Sequence, residues 1–397
     1  MSKLLQINAT ANWGSTGRIA EQIGIAAMTK GWDSYIAYGR HSNDSRSKLI
    51  KIGSLFDVYN HFLENRILDN EGLSSRWATE KFIEEVKRLA PDVIHLHNIH
   101  DHFLNYKKFF EYLNSTSIPV VWTFHDCWPI TGHCMHFINK NCERWRTGCY
   151  DCQMKGEYPK TWLDQSKRNW HLKRQMFTEN KNLVIVACSD WIGKFIKESY
   201  LKHKKLQVIH NGCDLEMFYP RPQVYQEKFQ ILAVSSIWHP QKGELDLYKL
   251  RQILPYENYD ITIVGLSAEQ LKKLPIGIKG IPRTQSIDEL ASLYSSADVL
   301  INPTYEDTFP TINIEALACG TPVITYRTGG SPEAVDLNTG AVVEQGDVVS
   351  LRDTLVDFCE SKFKEKHSIE CRSRAEMYFD KDKCFEQYVS LYESLIQ

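Results

Sequence analysis

VLINPTYEDTFPTINIEALACGTPVITY, residues 299–326, sets a short β-branched run at Val299–Asn302 ahead of a helical stretch, and a second such run at Val323–Tyr326. Pro310 suits a first helical position, where its missing N–H is no loss, and Gly320 suits the helix exit. Strand, helix and strand in that order make one unit of a parallel sheet with crossover helices. A helix that opens just after a strand end exposes free N–H groups and positive dipole, where an anion can sit. Asp307 lies just before this helix and Glu315 within its first two turns. Carboxylates so placed can accept hydrogen bonds from sugar or ribose hydroxyls; the plainer reading is a dipole-complementing acid and a surface glutamate.

The same alternation runs the length of the chain. A first series of candidate strands comprises Leu4–Asn8, Ser34–Tyr38, Asp92–His97, Val120–His125, Leu183–Cys188 and Leu206–His210. A second comprises Gln230–Val234, Asp260–Gly265, Val299–Asn302, Val323–Tyr326 and Ala341–Val343. Their near-continuous hydrophobicity suits strands covered on both faces. Between the series lie the turn Asn211-Gly212-Cys213-Asp214 and the Pro-stiffened Tyr219-Pro220-Arg221-Pro222. The reading is therefore an α/β chain of two Rossmann-like domains, 1–214 and 215–380, with a C-terminal helix over 381–397 packing back on the first. Ligands of such sheets bind beyond the carboxyl ends of the strands, so two facing domains predict a cleft between them.

A net charge of −2 over 397 residues gives nucleic-acid binding no support. Lys194–Lys205 is locally basic, which reads as a solvated helix face or as attraction to an anionic membrane surface. No apolar run approaches the ~18–20 residues that span a bilayer. The opening MSKLLQINATANWG reads as a first strand running into a Gly loop rather than as a signal peptide. These features predict a cytoplasmic protein, with peripheral contact to the inner face of the cytoplasmic membrane. Eleven cysteines there are unlike a disulfide framework.

Four of them cluster. Cys134, Cys142, Cys149 and Cys152 fall in Cys127–Tyr158, a segment with neither strand nor helix periodicity and too long for an ordinary loop. A Cys-x2-Cys knuckle with two further cysteines is a four-thiolate pattern for a structural zinc, which would staple a segment too poor in apolar residues to hold itself. Cys127, His133 and His136 are further candidate ligands, and reduced, unligated thiols are the alternative. His95-x-His97, with His100 and His102, also resembles a metal set, although a strand end explains those residues as substrate-contacting or buried.

Taken together, six segments in order resemble family 4 glycosyltransferases, which have the GT-B fold. They are Trp13-Gly14-Ser15-Thr16-Gly17-Arg18, Thr123-Phe124-His125-Asp126, Asn211-Gly212-x-Asp214, Gln241-Lys242-Gly243, the acidic-x7-Glu stretch Asp307–Glu315, and Gly329-Gly330-Ser331-Pro332-Glu333. The resemblance implies that the second domain holds the nucleotide, with Glu315 on the ribose hydroxyls. Asp307 and backbone near Phe309 and Thr311 would contact the transferred sugar and diphosphate. Lys242 would neutralise the donor phosphates. The family arginine five residues before that lysine is Ile237 here, so either Arg283 replaces it or the site runs on one lysine. In the first domain, Gly14, Gly17 and Arg18 would lie along the diphosphate and His125 would face the donor sugar. The family is retaining, by front-face displacement, and needs no divalent metal for donor binding; the one Asp-x-Asp, Asp380–Asp382, reads as coincidence.

The cysteine-rich subgroup resembles enzymes of bacterial capsule, exopolysaccharide or O-antigen assembly. The implied partners are a UDP- or GDP-sugar donor and a saccharide acceptor, undecaprenyl-diphosphate-linked in that subgroup's usual pattern. A nucleotide-sugar epimerase or hydrolase on the same fold, and an inactive zinc-stabilised binding protein, are the competing readings.

Overall fold

The computed structural model describes residues 1–222 and 226–397. In chain order its strands are β1 (Lys3–Asn8), β2 (Asp33–Tyr38), β3 (Lys48–Lys51), β4 (Val93–Leu96), β5 (Val120–Phe124), β6 (Leu183–Ala187) and β7 (Lys205–Val208). They continue as β8 (Phe229–Val234), β9 (Tyr259–Val264), β10 (Ile278–Ile281), β11 (Val299–Asn302), β12 (Val323–Tyr326) and β13 (Gly340–Val343). The chain divides into two compact units, Met1–His210 with Phe385–Gln397, and Asn211–Cys384.

The first unit holds a seven-stranded sheet in the order β3-β2-β1-β4-β5-β6-β7, the second a six-stranded sheet in the order β10-β9-β8-β11-β12-β13. Every strand pair in both is parallel. Each unit is therefore Rossmann-like, and each has one point where the strand order reverses: between β1 and β4, and between β8 and β11. Ligands of such sheets bind beyond the carboxyl ends of the strands at that reversal, which is where a crevice is expected in each unit.

Central strands β4, β5, β6, β11 and β12 are buried at every residue, as their predominantly apolar sequences require, and the few polar residues among them (His95, Thr123, Asn302 and Thr325) are hydrogen-bonded. Sequence reasoning missed β3 and β10, one of the two edge strands of each sheet. Both are short and only partly covered, and their lysines and glycine break the apolar run. The helix after β11 spans Thr311–Ala318, with Pro310 as its N-cap in extended conformation rather than its first helical residue, and Cys319 as its C-cap.

The segment 127–158 contains only three one-turn helices, at Trp128–Ile130, Ile138–Lys140 and Arg144–Arg146. Phe137 stacks on Trp145 at 5.1 Å and both meet Phe195 edge-on, a small aromatic core within the first unit. The last helical segment belongs to that unit too: Tyr392 OH lies 2.6 Å from His95 Nδ1, and Thr123 Oγ1 donates to Tyr388 OH.

Candidate functional site

In the second unit the crevice is formed by the loops after β8 and β11. Gly243 adopts φ +78°, and a Cβ there would overlap the Pro303 carbonyl, so only glycine lets the two loops close on each other. Tyr305 N–H donates to the Gln241 carbonyl at 2.7 Å and ties them together. This contact brings Lys242 from one loop beside Asp307 from the other, Nζ to Oδ2 at 2.6 Å. Asp307 Oδ1 accepts from Phe309 N–H at 3.2 Å, which turns the carboxylate toward the lysine and shapes the entry to the helix.

That helix start carries no side-chain cap and no acid in its first turn, so its leading amides remain available to an anion. Asn313 fixes the helix in place: it accepts from Asn302 Nδ2 at 2.9 Å, at the end of β11, and donates to the Ser331 carbonyl at 3.4 Å. Glu315 is half-buried, and its Oε2 accepts from Tyr294 OH at 2.9 Å. Thr311 is half-buried and Phe309 buried. Lys242 and Asp307 thus meet ahead of an uncapped helix start, and Glu315 lies about one turn further along that helix. Such a set can bind a diphosphate and a sugar or ribose.

Two positions stand apart from this cluster. Arg283 is exposed just beyond β10, the edge strand, and among the described residues no ion pair or hydrogen bond joins it to Lys242 or Asp307. Ile237 is 70% exposed on the loop after β8. Sequence reasoning did not find Tyr294 or Asn313. Both act only through pairings that the chain order does not display.

In the first unit, the helix Gly14–Thr29 follows β1. A Cβ on buried Gly17 would stand 2.7 Å from Thr10 Oγ1, so this glycine is needed to pack the turn on itself. Gly14, at φ +69° with nothing within 4 Å of where a Cβ would stand, is the glycine whose bare backbone faces open space. Arg18 is exposed and its Nε donates to the Gly14 carbonyl at 3.1 Å.

His125 is half-buried at the end of β5, and its Nε2 lies 3.0 Å from His97 Nδ1, while His97 Nε2 lies 3.0 Å from Gln6 Oε1. Gln6 Nε2 donates to the Ala20 carbonyl, so its Oε1 must accept. His97 then carries its proton on Nε2 and accepts on Nδ1, and His125 donates from Nε2, leaving its Nδ1 as an acceptor. Burial drives His125 down to about 4 and His97 and His95 well below the ordinary imidazole range, so all three are neutral at pH 7. His95 is held by Thr123 and Tyr392. His100 is drawn down by burial, but Asp126 at 2.9 Å outweighs it and raises its pKa.

His102, by contrast, lies 2.5 Å from Glu71, and these two with His61 bring ligand atoms within 4.8 Å of one another. His61 Nε2 already accepts from Gly72 N–H at 3.0 Å, so it has no lone pair left for a metal.

Cys134, Cys142, Cys149 and Cys152 line one cavity together with His133. The hydrogen bond from Cys134 holds the Cys152 thiol down at about 7, and Gly132 N–H points at Cys149 Sγ, 3.2 Å away. His133 Nδ1 lies 2.6 Å from Asp69, and its Nε2 is buried with no hydrogen bond. This donor set suits zinc chemically. No three of these groups lie within 4.8 Å of one another among the described residues, so binding would require them to draw together.

Comparison with known proteins adds to this geometry. The profile described as "Glycosyltransferase Family 4" matches residues 17–217, and the one described as "Glycosyl transferases group 1" matches 228–361. WcaC of Escherichia coli K12, named a putative colanic acid biosynthesis glycosyl transferase, is 22% identical over 425 residues, covering 99% of this chain and 100% of its own. Sucrose-phosphate synthase from Thermosynechococcus elongatus superposes with a TM-score of 0.74 at 16% identity, over 100% of this chain and 99% of that one. Anabaena HepE, solved with UDP-glucose, gives 0.65 at 15% identity, over 99% and 100%.

Proposed function

The chain belongs to glycosyltransferase family 4, whose profile covers just over half of it, and has the GT-B fold; on that premise we propose that it transfers a sugar from a UDP- or GDP-sugar to a saccharide acceptor with retention of configuration. The observation that carries this reading is the Lys242–Asp307 contact beside an uncapped helix start, at the strand-order reversal of the second sheet. In it, Lys242 and the amides near Phe309 and Thr311 hold the diphosphate. Glu315, held by Tyr294, accepts from the ribose hydroxyls. Asp307 accepts from hydroxyls of the transferred sugar.

As the glycosidic bond to the diphosphate breaks, negative charge grows on the leaving phosphate, and Lys242 with the helix amides stabilises it. The acceptor hydroxyl attacks from the same face and gives its proton to a phosphate oxygen, so no protein nucleophile takes part. Within the first unit, Gly14 offers bare backbone with Arg18 beside it, and either can meet a phosphate. Neutral His125 supplies an acceptor nitrogen for a sugar hydroxyl. Donor binding needs no divalent metal in this scheme.

The name of WcaC and the full-length match to it support a role in bacterial surface polysaccharide synthesis. An undecaprenyl-diphosphate-linked acceptor and peripheral contact with the inner face of the cytoplasmic membrane fit that role. Cys134, Cys142, Cys149 and Cys152 would hold a structural zinc that rigidifies the segment beside His125. The test is a thermal-shift panel of nucleotide sugars on wild type and Glu315→Ala, followed by NMR assignment of the product anomer. A donor that stabilises both proteins equally, or an inverted product, would refute the assignment.

A further inference from the structure

The helix Glu244–Ile253 follows directly on Lys242 and Gly243, and Asp246 stands in its first turn. An acid at that place ordinarily reaches back to the leading amides of its own helix. Both oxygens of Asp246 are engaged elsewhere. Oδ2 accepts from Tyr305 OH at 2.6 Å and Tyr326 OH at 2.9 Å, and Oδ1 accepts from Lys249 Nζ at 2.9 Å. The Lys249 side chain is 62% exposed and that of Asp246 only 3%, so the two phenols are the partners that hold the buried carboxylate. Burial and the neighbouring carboxylate push the Tyr305 phenol up to about 12, which keeps it a donor at neutral pH.

Tyr305 lies two residues before Asp307 on the loop after β11, and each of its polar groups is taken by a different element. Its N–H donates to the Gln241 carbonyl, one residue before Lys242, at 2.7 Å. Its carbonyl accepts from Thr328 Oγ1 and Gln345 Nε2, both at 2.9 Å, on the loops after β12 and β13. Its hydroxyl goes to Asp246, and Gly346 leaves it room, since a Cβ there would stand 3.0 Å from that oxygen. A backbone bond just before Lys242 and a side-chain bond just after it therefore fix the Lys242 loop against the Asp307 loop. The helix start at Thr311 is held separately, through Asn313 on Asn302 and Ser331. Tyr326 reaches the same Oδ2 from within β12, a strand that carries neither Lys242 nor Asp307.

We infer that Tyr305 and Asp246 are positioning residues for transfer: the bond between them sets where Lys242 stands relative to Asp307 and the helix amides. The inference rests on the reading of this crevice as the diphosphate site. A lysine stem can follow a bound diphosphate after a small shift of its loop, so ground-state affinity survives loss of the bond. The charge that grows on the leaving phosphate is met in full only by a lysine already in place. Loosening the loop therefore falls on kcat rather than on donor KM.

Tyr305→Phe and Tyr326→Phe each delete one phenol bond to the same carboxylate oxygen, so both should lower the melting temperature to a similar degree. Turnover is read as nucleoside diphosphate released from UDP-glucose, UDP-galactose or GDP-mannose without added acceptor, on the full-length protein well below both melting temperatures. Tyr305→Phe is expected to lose about tenfold in kcat with donor KM within about threefold of wild type, while Tyr326→Phe stays within about twofold in both. A merely structural role would move the two variants alike. The inference is overturned if Tyr305→Phe keeps kcat within about twofold, if its loss appears in KM instead, or if Tyr326→Phe loses as much kcat. Wild type that releases nucleoside diphosphate from none of the three donors would sink the transferase reading, and this inference with it.

Discussion

Replacing Lys242 with Met removes one positive charge while keeping most of the side chain's length and packing. The side chain is 26% exposed and its ammonium 2.6 Å from Asp307, so it sits at the edge of the crevice rather than deep in the protein. A phosphate oxygen about 4 Å from such a charge gains ~4 kcal/mol at an effective dielectric of ~20. Partial exposure trims that to roughly 2–3 kcal/mol. Removing the lysine also leaves the Asp307 carboxylate facing the anion uncompensated, which adds about 1 kcal/mol of repulsion at the same site.

Together these predict a fall in kcat/KM of roughly 10²–10³-fold, since each 1.36 kcal/mol is about a factor of ten. Folding stability should change by less than about 1 kcal/mol, because the pair is partly solvated. Initial rates at varied donor concentration, with calorimetric affinity for the free nucleoside diphosphate, separate the contributions. Asp307→Asn serves as the counterpart: it should lower kcat/KM while leaving nucleoside diphosphate affinity within about threefold of wild type. If Lys242→Met stayed within about threefold of wild type in both rate and diphosphate affinity, the assignment of this crevice to the leaving group would be wrong.

Three further outcomes follow from the same structure. Glu315→Ala should weaken nucleotide binding by about 1.5–3 kcal/mol and also destabilise the fold, because buried Tyr294 loses its acceptor; adding Tyr294→Phe to Glu315→Ala should restore most stability but not binding, read by denaturant melts and calorimetry. Purified protein should carry about one zinc by elemental analysis, and Cys134→Ser should lose it and melt at lower temperature; a metal-free wild type with four freely titratable thiols would exclude the zinc. The third outcome concerns acid. His95, His97 and His125 are all held below their unfolded pKa of about 6.5, so the unfolded chain binds more protons below that pH. Their stabilising contribution is complete above pH ~6.5 and is lost as pH falls toward 4, with a slope of up to ~4 kcal/mol per pH unit if all three protonate on unfolding. Denaturant melts between about pH 7 and pH 4.5 that gave a flat stability would show that these imidazoles are not buried as neutral groups.

The sequence was legible where burial was two-sided. Val299–Asn302 and Val323–Tyr326 are covered on both faces, so their runs are nearly all apolar and their bounds coincide with the structure. At Lys48–Lys51 and Ile278–Ile281 an edge position lifts that requirement, and the pattern dissolves into mixed residues. Asp307 and Lys242 stood out through local motif chemistry. Their partners did not, because Tyr294 meets Glu315 across 21 residues of chain and Gln6 meets His97 across 91.

The return of residues 385–397 to the first unit has a consequence for biosynthesis. The second unit is encoded entirely within 211–384, so its sequence is complete before residues 385–397 are made. The first unit, although begun first, must wait for those residues. Until Tyr388 and Tyr392 emerge from the ribosome, Thr123 and His95 lack the hydroxyls that close the sheet around them. The newborn protein therefore holds its older half open, and a chain cut short at Cys384 would be injured in the half made earliest.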